Sequence, residues 1–310
     1  MTAAPPIILH HFEQSPFSEK IRVVFGLKNV EWTSVLISRI MPRPDLMPLT
    51  GGYRRTPVMQ IGADIYCDTQ CIVHELERRF PQPTLFPRGY EGLASATAMW
   101  TDRSFFQSTV NLVFGSLADQ VPQEFIADRE KLRGAKFDVP AMTSAIPQMR
   151  DQFRAHVQWI ETQLGDGRSW LAGDQASLCD VNAYMNIWYV RTNLPNADAM
   201  LAEFDKTRAW EARMRAVGHG RRAHEISTAA ALDIAAAATP LTAEMADPND
   251  PNGRKPGDRV EVTPDDYGKV KVRGDIVALS SQHIAIRRHD PRAGEIIVHF
   301  PRAGFLVIPA

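Results

Sequence analysis

Ser15 stands immediately before Pro16 in "HHFEQSPFSEKIRVVFGL", residues 10–27, where a short apolar run gives way to a helical pattern. A serine with proline at the first helical position makes an N-cap whether or not it does chemistry, because its oxygen takes up an otherwise unpaired backbone N–H. It could equally be the group around which an active site is built. Thr56-Pro57 opens the strand pattern "TPVMQIG". Proline cannot donate to a ladder, so this bond is a candidate for an exposed backbone edge or a cis peptide. Asp68 and Thr69 in "CDTQC" start a second helix, and free N–H groups at a positive dipole end can hold a carboxylate. Either helix start alone is ordinary. Two of them with a proline at the edge of one sheet are a more specific combination.

The elements that must position these residues follow from periodicity. "PIILHHF" has strand length, and Phe17, Ile21, Val24 and Phe25 share one helical face. "VEWTSVLI" reads as a second strand, "TPVMQIGADIYC" as a hairpin turning near Gly62, and "DTQCIVHELERRFP" as a helix halted by Pro81. This is the order of a small α/β sandwich over residues 1–88. Residues 89–238 read as helical with no convincing strand, and "STAAALDIAAAA" is expected to close the helical bundle. Residues 239–256 are rich in Pro, Asp and Asn and read as a linker. From 257 to 310 the period becomes two, and five short strands are expected to curl into a small barrel that hides its edges.

Composition narrows the function classes. A net charge of −1 over 310 residues gives no overall pull towards nucleic acid or an anionic membrane. No apolar run is long enough to span a bilayer, and "MTAAPPIILHHF" lacks the pattern of a secretory signal. Cys67, Cys71 and Cys179 cannot make a disulfide framework and suit a reducing compartment, so the expected location is cytoplasmic. His10 and His11, as neighbours on a strand, point to opposite faces and share no metal. "HELER" lacks a second histidine at zincin spacing, and no metal site is expected.

Taken together, "SPFSEKIR", "TPVMQIG", "DTQCIVHELERRFP" and "WLAGDQASLCDVNAY" arrive in the order found in the glutathione transferase family, and the chain resembles that family over roughly residues 7–235. The resemblance is to serine- and cysteine-type, bacterial members. It implies an α/β thioredoxin-like N-terminal domain and an all-α glutathione transferase C-terminal domain, followed here by a small all-β barrel-like domain without a family counterpart. By position, Ser15 matches the residue that faces the glutathione sulfur, where a donated hydrogen bond favours thiolate. Thr56, held by Pro57, matches the residue pairing with the cysteinyl backbone. Asp68 and Thr69 match the pair taking the γ-glutamyl group, and Arg55 falls near the glycyl carboxylate. Ser177 and Asp180 match a structural capping motif.

The resemblance implies glutathione as co-substrate, a small electrophile as second substrate, and a homodimer. Trp100, Arg103 and Phe106, on the first long helix, are candidates for the electrophile pocket; aromatics at this spacing serve equally as core. Arg103 among them needs a partner or an anionic substrate. Two functional readings stand: an enzyme activating the glutathione thiol, or a non-catalytic scaffold of the same fold whose C-terminal strands mediate interactions.

Overall fold

The computed structural model describes residues 5–310. Strand β1 (Ile7–His11) is buried along its whole length and lies inside the sheet, parallel to β2 (Glu31–Leu36) and antiparallel to β3 (Val58–Ile61). Helix α1 (Pro16–Leu27) crosses from β1 to β2, burying Ile21, Val24 and Phe25 against the sheet. After the short α2 (Leu46–Thr50), β3 turns at Gly62 into β4 (Asp64–Cys67), as the hairpin pattern predicts. Helix α3 (Thr69–Arg79) follows at once, with Ile72, Val73 and Leu76 inward.

The helical part comprises α4 (Glu91–Met99), α5 (Phe106–Ser116), α6 (Gln123–Arg133), α7 (Val139–Ser144), α8 (Ile146–Gln163), α9 (Leu178–Asn193), α10 (Ala197–Leu201) and α11 (Asp205–Val217). Between α4 and α5 the helix widens into a π-helical turn, Trp100–Phe105, a feature frequent at functional sites. Ser177 and Asp180 form the expected capping box at the start of α9. The Asp180 carboxylate also accepts from Leu171 N–H (2.7 Å) and Trp210 Nε1 (2.9 Å), which lets a buried charge persist.

Two expectations for the end of this segment are corrected. Arg221–Glu225 is a strand, β5, parallel to β2 at the sheet edge. Its run "RRAHE" is almost wholly solvent-facing and carries no apolar alternation, so only the pairing partner reveals it. Helix α12 (Thr228–Ala237) does not close the bundle. It buries Ala231, Leu232 and Ala235 in the second core, on the sheet beside Ile8 and Val35.

The five C-terminal strands are all present: β6 (Arg259–Pro264), β7 (Val272–Leu279), β8 (His283–Asp290), β9 (Gly294–Pro301) and β10 (Phe305–Pro309). They form the strand-rich, barrel-like region that the period of two predicts, and that region joins the sheet of the first domain. The ten strands run β10-β6-β7-β8-β9-β4-β3-β1-β2-β5, and β9 lies parallel to β4 with Tyr66 opposite His299. Without that pairing β4 would be an exposed edge, and β9 covers it. Residues 239–256 are pinned along the way, since Leu241 N–H donates to Asp64 (2.7 Å) and Met245 N–H to Val277 O (3.0 Å).

Candidate functional site

Asp68 is the N-cap of α3, accepting from Gln70 N–H at 3.0 Å. Its φ of 77° lies where a non-glycine residue carries of order 1–3 kcal/mol of strain, a feature concentrated at ligand sites. Burial pushes its carboxyl above the ordinary range, while the Gln70 N–H and Arg55 pull it down. Thr69, the first residue of α3, is buried beside it. The peptide Thr56-Pro57 is cis. Arg55, Thr56, Pro57, Asp68 and Thr69 all line one cavity between the starts of β3 and α3 and the π-helical turn. Arg103 lines it from the helical side together with Met99 and Asp102. Lys20, buried on α1, donates to Asp102 at 2.8 Å.

Ser15 is placed differently. It caps α1, accepting from Ser18 N–H at 3.1 Å, and it is 3 % exposed. The cavity is lined by Phe17, two positions on, and not by Ser15. Ser18 is fully buried, with its hydroxyl unpaired among the described residues. Trp100 and Phe106 are also outside the lining. Trp100 stacks on Phe105 and donates to His156 at 2.9 Å, while Phe106 packs edge-on against Phe17. Arg103 thus lines the cavity, while these two half-buried rings pack against the first core.

Sequence reasoning gave no role to the residues that roof the cavity. Asp266, Tyr267, Gly304 and Phe305 come from the C-terminal extension, over Tyr53 and Arg55. The Arg55 guanidinium lies 4.0 Å from the Tyr267 ring centroid and donates to the Asp266 carboxylate and the Tyr267 carbonyl. Arg103 pairs with Asp265 at 3.6 Å. In the sequence Asp265, Asp266 and Tyr267 show only as "DDYG", which reads as an ordinary turn, and Gly304-Phe305 as the turn and start of the last strand. Under this roof the enclosed space is ≈ 80 Å³, short of the roughly 300–1,000 Å³ of small-molecule sites.

The other candidates are structural. Cys67, Cys71 and Cys179 are buried free thiols, and burial pushes the first two well above the ordinary thiol range. His10 pairs with Gln60 (2.8 Å) and His11 with Ser34 (2.9 Å), on opposite faces of β1. A second cavity of ≈ 380 Å³ lies between α1, α9 and α11. Its charges are paired within its own wall, Arg191 and Arg215 with Glu211, and His219 with Glu19. No helix among the described residues is long and apolar enough to cross a membrane.

Comparison with known proteins agrees with this architecture. Residues 9–84 match the family model of the glutathione S-transferase N-terminal domain, and residues 109–222 match a domain of unknown function. A GST-like protein from Pseudomonas syringae is 34 % identical, and the alignment covers 99 % of this chain and 100 % of that one with a TM-score of 0.81, so the extension is shared. FtsZ-localized protein A of Caulobacter vibrioides is 26 % identical over 180 residues, 56 % of this chain and 73 % of that protein. A glutathione S-transferase from Methylobacterium radiotolerans, solved with glutathione sulfonate, shares the fold at 21 % identity and a TM-score of 0.51, covering 68 % of this chain and 90 % of that one. With its thioredoxin-like sheet, its helical domain and a near full-length relative of the same build, the chain belongs to the glutathione S-transferase family and carries a C-terminal strand extension of its sheet.

Proposed function

We propose that the protein binds glutathione at this cavity and activates its thiol for attack on a small electrophile, as a homodimer. The observation that carries the reading is the meeting of Arg55, Thr56 and Pro57 with Asp68 and Thr69 on one cavity. In this reading Asp68 and the start of α3 take the γ-glutamyl end, and the Thr56 backbone pairs with the cysteinyl unit. Ser15 donates its hydroxyl hydrogen to the sulfur, lowering the cost of the thiolate at a helix N-terminus. The thiolate then forms the new carbon–sulfur bond as the leaving group departs. Because Ser15 is buried outside the lining and the space is small, the reading requires the groove to open before the tripeptide enters.

A second reading is supported by that roof: a protein of this fold that binds partners without turnover. A relative named for its localisation with FtsZ is in keeping with it. Calorimetry with glutathione, followed by conjugation of a chloronitrobenzene by wild type and Ser15→Ala, separates the two. The enzyme reading expects binding in both proteins and conjugation lost in the variant. Absence of glutathione binding by the wild type removes it, and binding without any turnover leaves the scaffold reading.

A further inference from the structure

The charges that line the cavity are not all alike in their pairing. Among the described residues, both cations that line it are already paired, Arg55 with Asp266 and Arg103 with Asp265. The charge left over is an anion. Asp68 lines the cavity, accepts one backbone hydrogen bond and has no oppositely charged partner in ion-pair contact among the described residues. A groove built to receive a peptide with a carboxylate at its far end would be expected to keep a cation free there. The cation that the glutathione reading assigns to that carboxylate is Arg55, and the chain has supplied it with a carboxylate from a loop 211 positions away.

The loop is fastened as well as charged. Tyr267 gives Arg55 both a stacking face and a backbone acceptor. Gly268 N–H donates to Leu132 O at 2.8 Å, tying the loop to the end of α6. Gly268 has φ +61°, a left-handed conformation that favours glycine.

We infer that Asp266 and Tyr267 are an internal occupant of the carboxylate end of the groove, competing with a ligand's own carboxylate for Arg55. This rests on the glutathione reading above and sets the specificity of that site. With the loop in place the groove recognises an amine-bearing γ-glutamyl end through Asp68 and gives no credit for the glycyl carboxylate. A ligand that uses Arg55 must first displace the loop, which lowers its apparent affinity by the fraction of molecules already open.

The test is calorimetry on the full-length protein with two probes, glutathione and γ-glutamylcysteine, which lacks the glycyl carboxylate. Wild type should bind the two with similar affinity. Asp266→Asn keeps the shape of the side chain and removes its charge; it should raise affinity for glutathione about tenfold, the scale of one charge-assisted hydrogen bond, and leave the dipeptide unchanged. Tyr267→Ala should act in the same direction. Hydrogen exchange at Gly268 N–H should accelerate when glutathione saturates the wild type. Equal glutathione binding by wild type and Asp266→Asn, or a wild-type preference of tenfold or more for the tripeptide, overturns the internal occupant and leaves the glutathione reading standing. If none of the proteins binds either peptide, the glutathione reading itself fails and the occupant with it.

Discussion

Asp64 and His299 meet across the seam of the sheet, His299 Nε2 donating to Asp64 Oδ1 over 3.0 Å with both side chains buried. Asp64 is on β4 and His299 on β9, so this pair joins the family domain to its extension. Thr242 and Leu241 N–H also donate to Asp64, and His283 shares a hydrogen bond of 3.0 Å with the other nitrogen of His299.

Replacing Asp64 with alanine should therefore loosen the extension more than the rest of the molecule. It strands three donors, and each buried unpaired donor costs about 1–3 kcal/mol. Limited proteolysis should find new cleavage within residues 239–256, and hydrogen exchange should rise at β9 before β1. Uniform exchange across the whole sheet would show that the seam is no weaker than the domain.

The same carboxyl sets an acid limit on docking. Burial alone would raise it, but hydrogen bonds from His299, Thr242 and Leu241 N–H hold it below the ordinary range. A depressed carboxyl stabilises fully above its unfolded value of about 3.9 and loses that contribution as pH falls through the lower folded value. Docking of β9 should thus resist mild acid and fail only below about pH 4, as read by exchange at β9.

Global stability should begin to fall at a higher pH, for a different reason. Burial lowers His10 to about 4, and burial together with Arg22 lowers His11 to about 3. Unfolded histidines take a proton near 6.5, so between there and those values the unfolded chain binds more protons and folding is penalised as pH falls. At pH 5.5 each group costs about 1.4 kcal/mol. Urea midpoints at pH 7.5 and 5.5 should differ accordingly, and equal midpoints would contradict the neutral state of both rings.

At the site, Asp68→Asn and Asp68→Ala should part company. Asparagine caps a helix as well as aspartate, whereas alanine forfeits about 1 kcal/mol. Both remove the charge that the reading assigns to the ligand amine. Melting should therefore be close to wild type for Asp68→Asn, with glutathione affinity down about tenfold or more. Retained affinity in Asp68→Asn would take this residue out of the binding site.

Asp180→Ala probes the fold without touching the groove. It leaves Leu171 N–H, Ser177 N–H and Trp210 Nε1–H unpaired in a buried place. A loss of roughly 3–5 kcal/mol is expected in denaturant unfolding, and a variant of wild-type stability would mean that water replaces the carboxylate.

Apart from the short α2, the order of strands and helices through residue 79 was legible, as were the cap at Ser15, the hairpin at Gly62 and the capping box at Ser177 and Asp180, because each depends on neighbours within a few positions. So were five strands after residue 256, from their period of two. What tertiary structure alone decided is long-range: β5 exists because β2 offers it an edge, α12 lies on the sheet because the extension completes a core there, and β9 seats on β4. The candidate site divides in the same way. Arg55, Thr56, Pro57, Asp68 and Thr69 could be named from local pattern. That Arg55 already holds Asp266 and Tyr267 could not, since local periodicity says which face a residue shows and not which loop, two hundred positions on, will reach it.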